Sequence, residues 1–227
     1  MAITPSPLPH YLSALSGDFV SRTNVFRMIR EFARFGGINR GYYMELGCMN
    51  GDGIVIAYRQ LRGLVTDVYG FDTFSGHPKH QAVDDVHKEW APALFEGNYA
   101  AVSRDFAETL IHASTLLPKK NIHLIEGKFS DTLPKFDKSS LADKEFPIAI
   151  MVDCDIYTSA LDAFGFITDI IQTGTWLLID DYWNYRGDPK LGVRRAFDEW
   201  IRDNGRVGAT LYDSFNAFSQ AYICYVK

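Results

Sequence analysis

Ile148-Ala149-Ile150-Met151-Val152-Asp153-Cys154-Asp155 is an apolar run that stops at a pair of carboxylates. The pattern recurs at Trp176-Leu177-Leu178-Ile179-Asp180-Asp181. Short apolar runs without alternation mark strands buried on both faces. Each acidic pair then stands where a buried strand ends. If the two strands are parallel, up to four carboxylates meet at one sheet edge. Such a cluster repels itself unless a cation sits in it, so a divalent metal beside a ligand crevice is the first expectation.

Outward from these runs, strand patterns occur at residues 42–46, at 68–71 (ending at Asp72) and at 122–125. Helical spacing separates them. Residues 20–35 place Val25, Met28, Ile29, Phe32 and Ala33 on one face before Gly36-Gly37. Residues 54–64 continue the pattern, and 102–117 show Val102, Phe106, Leu110, Ala113 and Leu117 before Pro118. A helix over 158–173 has Thr158-Ser159 as caps and Gly174 as its stop. Another over 190–204 gathers Val193, Ala196, Phe197, Trp200 and Ile201. Residues 207–212 and 222–226 are strands with no helix between them. The expected fold is α/β: a seven-stranded, mostly parallel, doubly wound sheet closed by a C-terminal antiparallel hairpin. Ligands bind such sheets beyond the C-terminal strand ends, where both acidic pairs fall.

Bulk properties narrow the class. At 227 residues, 47% hydrophobic and 22% charged, the chain suits a single domain over 1–227. A net charge of −5 gives no footprint for nucleic acid, and no window has the length of a membrane span. Cys48, Cys154 and Cys224 are too scattered for a disulfide framework or a zinc site, which points to a reducing cytoplasm. Residues 1–20 carry three prolines and no basic leader. They read as an arm packing on the domain or on a second copy, so a homodimer is one expected assembly.

Residues 74–100 have poor periodicity and read as a lid or acceptor loop. They hold Gly76, Pro78, Pro92, Gly97, Asp84-Asp85 and three histidines, His77, His80 and His87. The histidines are expected to be exposed. His112 and His123 fall in regular elements and are expected to be structural. Trp183, Tyr185 and Arg186 follow the second acidic pair, either lining an acceptor pocket or resting as surface-loop aromatics. Cys154 has no histidine base assigned to it and is expected to be inert.

Glu45-Leu46-Gly47-Cys48-Met49-Asn50-Gly51-Asp52-Gly53 is a glycine-rich turn from strand to helix. Such a turn brings backbone close to a ligand and presents helix N–H groups to an anion. Its G-x-x-x-G-x-G spacing is neither the dinucleotide fingerprint nor a phosphate loop. Asp72 ends the next strand 25 residues after Gly47, where an acid accepts hydrogen bonds from ribose hydroxyls. Alone, Asp72 serves equally well as a cap for the turn 73–76.

With these segments in place the chain resembles class I S-adenosylmethionine-dependent methyltransferases. Residues 45–53 look like their first motif, and Gly-Phe-Asp-Thr-Phe-Ser-Gly-His-Pro at 70–78 resembles the second. More narrowly, residues 127–134, 152–163 and 178–182 resemble the macrocin O-methyltransferase group. That group holds metal-dependent sugar O-methyltransferases of macrolide and aminocoumarin biosynthesis. Asp153 precedes Asp180 and Asp181 by the 27 and 28 positions that the group uses. The resemblance covers about residues 42–200.

It implies a Rossmann-like class I methyltransferase fold and roles residue by residue. Gly47 and Gly51 contact the methionine end of S-adenosylmethionine, with Glu45 near its amino group. Asp72 holds the ribose. Thr73 and Phe74 flank the adenine on one side, Phe129 and Ser130 on the other. Asp153, Asp180 and Asp181 bind Mg2+, and Asp155 is the candidate general base, with Asp153 as the other choice. Gly53 stands where many relatives carry Ser, one hydroxyl fewer for the methionine carboxylate. Residues 77–100 match the group poorly.

Methyl transfer from a sulfonium is a displacement, and alignment alone lowers such barriers by roughly 7–11 kcal/mol. A hydroxyl acceptor also needs its proton removed, which a metal and a carboxylate accomplish together. The expected activity is magnesium-assisted O-methylation of a sugar or glycosylated small molecule. The alternatives are the same chemistry on a catechol-like vicinal diol, a nucleotide-binding oxidoreductase, and a catalytically silent binding module. The absent G-x-G-x-x-G opposes the oxidoreductase, and four acids kept at strand ends oppose the silent module. Taken singly, each of those acids is more often a turn cap than a ligand.

Overall fold

Five apolar segments pair side by side, four of them buried on both faces and Ile122–Glu126 at the sheet edge, because buried backbone groups need hydrogen-bond partners. They are β1 (Gly41–Leu46), β2 (Val65–Asp72), β3 (Ile122–Glu126), β4 (Phe146–Val152) and β5 (Trp176–Ile179), all parallel. β6 (Val207–Asp213) and β7 (Gln220–Val226) complete the sheet, and β7 runs antiparallel to β5. The order is β3-β2-β1-β4-β5-β7-β6. The structure, a computed structural model, describes residues 17–227 except 85–88, 91, 93 and 145. Residues 17–20 of the expected arm already belong to the first helix. The rest of the arm, Asp85 and His87 lie outside the described residues.

Register positions the site. Leu46 pairs with Phe71 on one side and Val152 on the other, and Val152 pairs with Ile179. Gly47, Asp72, Asp153 and Asp180 therefore leave the sheet in one row. Backbone hydrogen bonds hold that row: Gly47 N–H to Phe71 O at 2.8 Å, Asp153 N–H to Leu46 O at 2.8 Å, Asp180 N–H to Val152 O at 2.9 Å. The strand order reverses between β1 and β4, which makes their ends the crevice of the sheet.

Alternating side chains feed two cores. On one face α1 (Gly17–Phe35), α2 (Asp52–Leu61) and α3 (Arg104–Thr115) pack with Tyr43, Ile148, Met151 and Leu178. On the other, α5 (Tyr157–Ile167) and α6 (Gly192–Asp203) pack with Met44, Ile150, Val152 and Leu177. The short α4 (Phe129–Thr132) and the 3-10 turns around it fill the stretch between β3 and β4, for which no helix was expected.

Three helices depart from their expected form. α5 ends at Ile167, and neither Thr158 nor Ser159 caps it. Its Thr158 N–H instead donates to Asp84 Oδ1 at 2.9 Å, a cap supplied by the lid segment. α2 runs over 52–61, because β2 begins at Val65. α3 buries Ala107, Ile111 and Thr115 rather than the expected stripe, and Phe106 stays 42% exposed. The face is turned because Ile111 packs against Gly51, where an added Cβ would meet Ile111 Cδ1 at 2.7 Å. No helix among the described residues is long and apolar enough to cross a membrane.

Candidate active site

A cavity of about 610 Å³ opens at the row of strand ends. Its walls are the glycine turn after β1, Asp72, Phe129 and Ser130 of α4, the Asp153–Asp155 segment, Asp181, and the lid residues Gly76–Lys79 and Gln81 with Tyr99. Gly47 has φ +98°, and a Cβ there would run into the Asp153 carbonyl. Only glycine lets the β1 and β4 ends close on each other. Gly53 also lines the cavity, and a Cβ there would collide with the Glu45 carboxylate. The missing hydroxyl at 53 thus gives its space to Glu45. Gly51, by contrast, takes φ +86° as the N-cap of α2, faces Ile111 and is absent from the cavity wall.

Glu45 is buried and accepts the Tyr43 hydroxyl at 2.8 Å. Burial pushes its carboxyl up to about 7, against the pull of Arg22. Asp72 ties the two motifs together: Oδ2 accepts the Met49 N–H at 2.8 Å and Oδ1 the Phe74 N–H at 2.7 Å. It is both turn cap and cavity wall. Burial raises its carboxyl, and those N–H groups oppose the rise. Thr73 lines the cavity and donates to Gly76 O at 2.6 Å. Phe74 goes elsewhere, its ring buried in the core beneath α2 and α3. Phe129 and Ser130 line the wall as expected.

Asp153, Asp155 and Asp181 face the cavity, whereas Asp180 does not. An extended chain would send Asp153 and Asp155 to opposite sides. Asp155 at φ +61° and Asp181 at φ +58° are left-handed, which breaks that alternation. Non-glycine residues held there cost about 1–3 kcal/mol each and cluster at functional sites. Arg22 of α1 donates from Nη2 to Asp153 Oδ2 at 2.9 Å and to Asp180 Oδ2. Asp180 Oδ1 accepts Ser219 Oγ–H and the Asp181 N–H. Asn184 Nδ2 donates to Asp181 Oδ1 at 2.8 Å. His77 Nε2 lies 3.2 Å from Asp155 Oδ2, off hydrogen-bonding alignment. Burial, then Asp180, drives the Asp153 carboxyl well above its ordinary range while Arg22 opposes. Burial, then Asp155, does the same to Asp181. Burial also raises the Cys154 thiol, in keeping with an inert cysteine.

The model of the family described as macrocin-O-methyltransferase (TylF) matches residues 22–211. The chain belongs to the macrocin O-methyltransferase family. It is therefore an O-methyltransferase. Solved structures agree on the fold. The O-methyltransferase NovP is 21% identical with a TM-score of 0.68, over 90% of this chain and 79% of its own. CalS11, a calicheamicin methyltransferase, is 18% identical with a TM-score of 0.67, over 96% and 86%. An O-methyltransferase from Bacillus cereus, solved in complex with SAH, is 17% identical with a TM-score of 0.53, over 100% and 84%. No curated protein sequence matches.

The donors of this macrocin O-methyltransferase family member fit a hard divalent cation in kind. All are carboxylate oxygens, and the Arg22 guanidinium pairs with two of them, on Asp153 and Asp180. They are not gathered around a single point. Among the described residues no three acidic, histidine or cysteine side chains stand together as a metal set. Asp180 gives its oxygens to Arg22, Ser219 and its own neighbour's N–H, leaving Asp153 and Asp181 in the wall.

Sequence reasoning missed two contributors here. Arg22 continues the buried stripe of α1 at i, i+3, i+4 and i+7 with Val25, Phe26 and Ile29, and a cation on such a stripe signals a carboxylate partner. His77 was expected at the surface, yet its side chain is 7% exposed, because backbone bonds to Asn98 and Gly97 fold the lid over the acids. His123 is structural as expected, held by Asp67 at 2.9 Å. Tyr185 and Arg186 do not line the cavity. Tyr185 packs with Leu94 and Leu191, and Arg186 lies over the Trp90 ring, so they fasten the lid. Trp183 stands under Arg194 instead.

Proposed function

We propose that the chain transfers the methyl group of S-adenosylmethionine to a hydroxyl of a sugar or glycosylated small molecule, with magnesium assistance. The observation that carries this reading is one cavity walled by Glu45, Gly47 and Asp72 on one side and by Asp153, Asp155 and Asp181 on the other. Similar proteins support it: CalS11 is described as a TDP-rhamnose 3'-O-methyltransferase, and the Bacillus cereus O-methyltransferase was solved in complex with SAH.

In this reading Glu45 attracts the donor's ammonium and the N–H groups at the start of α2 take its carboxylate. Asp72 keeps lone pairs for ribose hydroxyls beside the two N–H groups it already accepts. The left-handed turn at Asp155 aims its carboxylate into the cavity, where Asp155 or Asp153 takes the acceptor's proton. Bound S-adenosylmethionine supplies the methyl on a sulfonium. Asp153, Asp180 and Asp181 would hold a magnesium ion, which would supply charge to acidify the acceptor hydroxyl. Three buried free thiols accord with work in a reducing cytoplasm.

Calorimetry with S-adenosylhomocysteine tests the donor half. Wild type binds, and Asp72→Ala weakens binding at least tenfold, since hydrogen bonds to a charged group contribute about 1.5–3 kcal/mol each. Unchanged affinity removes the ribose assignment. For the acceptor half, activity on a nucleotide sugar is lost with EDTA and restored by Mg2+. Activity that survives chelation removes the metal while leaving the donor reading intact.

A further inference from the structure

We propose that Arg22 holds the place of the divalent ion between Asp153 and Asp180, and that the ion binds only when Arg22 withdraws. This rests on the metal reading above. α1 delivers Arg22 to the sheet edge on the same stripe as Val25, Phe26 and Ile29, all of them fully buried. Its Nη2 meets Oδ2 of both acids. Of the two Asp180 oxygens, Oδ1 is already engaged by Ser219 and the Asp181 N–H, so Oδ2 is the one left for a ligand role. Arg22 occupies it.

A guanidinium cannot shed its proton to make room, because arginine stays charged in proteins. A magnesium ion demands oxygens at about 2.0–2.1 Å in near-octahedral geometry. Two cations on the same pair of oxygens would face each other at close range in a site shielded from solvent. The two occupants therefore compete. Without metal, Arg22 keeps strands β4 and β5 from repelling at their ends. With metal, the start of α1 loses its tether to the sheet.

The test reads Mn2+ binding by electron paramagnetic resonance in wild type, Arg22→Met and Arg22→Lys, each checked for native near-ultraviolet dichroism. Arg22→Met is expected to bind Mn2+ at least tenfold more tightly than wild type, with Arg22→Lys between them. Equal or weaker binding by Arg22→Met overturns the proposal while leaving the metal reading standing. No Mn2+ binding by any of the three overturns both. Wild type alone gives a second measurement that needs no variant: Mn2+ should speed hydrogen exchange in the first turns of α1. Unchanged or slowed exchange at saturating Mn2+ overturns the proposal.

Discussion

Glu45 sits in β1 with its carboxylate enclosed by Tyr43 and the space left at Gly53. Its ordinary value of 4.5 rises to about 7 through burial. The folded state thus binds the proton more tightly than the unfolded one, and stability from this group is full below about 4.5 and lost as pH rises to about 7. Glu45→Gln should flatten the fall of the melting temperature over that window. A donor ammonium favours the charged carboxylate, so affinity for S-adenosylhomocysteine should rise as pH passes upward through about 7, and Glu45→Gln should remove that rise. A pH-independent wild-type affinity would contradict the placement of the amino group. Asp155→Asn should lower turnover roughly a hundred- to ten-thousandfold, the span of general-base effects, with cofactor affinity kept. A mild loss would pass the base role to Asp153. Sequence named both acids but could not tell that they share a cavity. That depends on a left-handed residue, and nothing in Asp153-Cys154-Asp155 announces one.

At the scale of elements, the lid and α5 are one construction. Asp84, 1% exposed, takes the N–H groups of Gln81 and Thr158 on its two oxygens, so a turn of the lid caps a core helix 74 positions away. Asp84→Ala should cost about 1–2 kcal/mol in urea unfolding, the worth of a helix cap, and should also weaken acceptor binding. A change below about 0.3 kcal/mol would mean that water replaces the cap. Periodicity found every strand and five of the helices. It erred where packing overrode it: the face of α3 follows the gap at Gly51, and the cap of α5 comes from a distant loop. Neither partner is adjacent in sequence, so no local pattern reports it.

For the whole molecule, two cores lie on opposite faces of one sheet and share every strand of its centre. Phe164 belongs to one and Ile29 to the other, both fully buried. Phe164→Ala should cost about 3–5 kcal/mol and Ile29→Ala about 2–5 kcal/mol, in a single cooperative transition seen equally by fluorescence and far-ultraviolet dichroism. Two separated transitions would show that the faces unfold independently. The alternation of elements, the parallel sheet with its terminal hairpin and the edge that carries the site were all written in the order and periodicity of the chain, because burial on both faces leaves a strand little choice of composition. Whether a given acid faces the cavity, an arginine or a serine was decided only by folding. Charge placement at a sheet edge depends on register, on two left-handed residues and on a helix more than a hundred positions away.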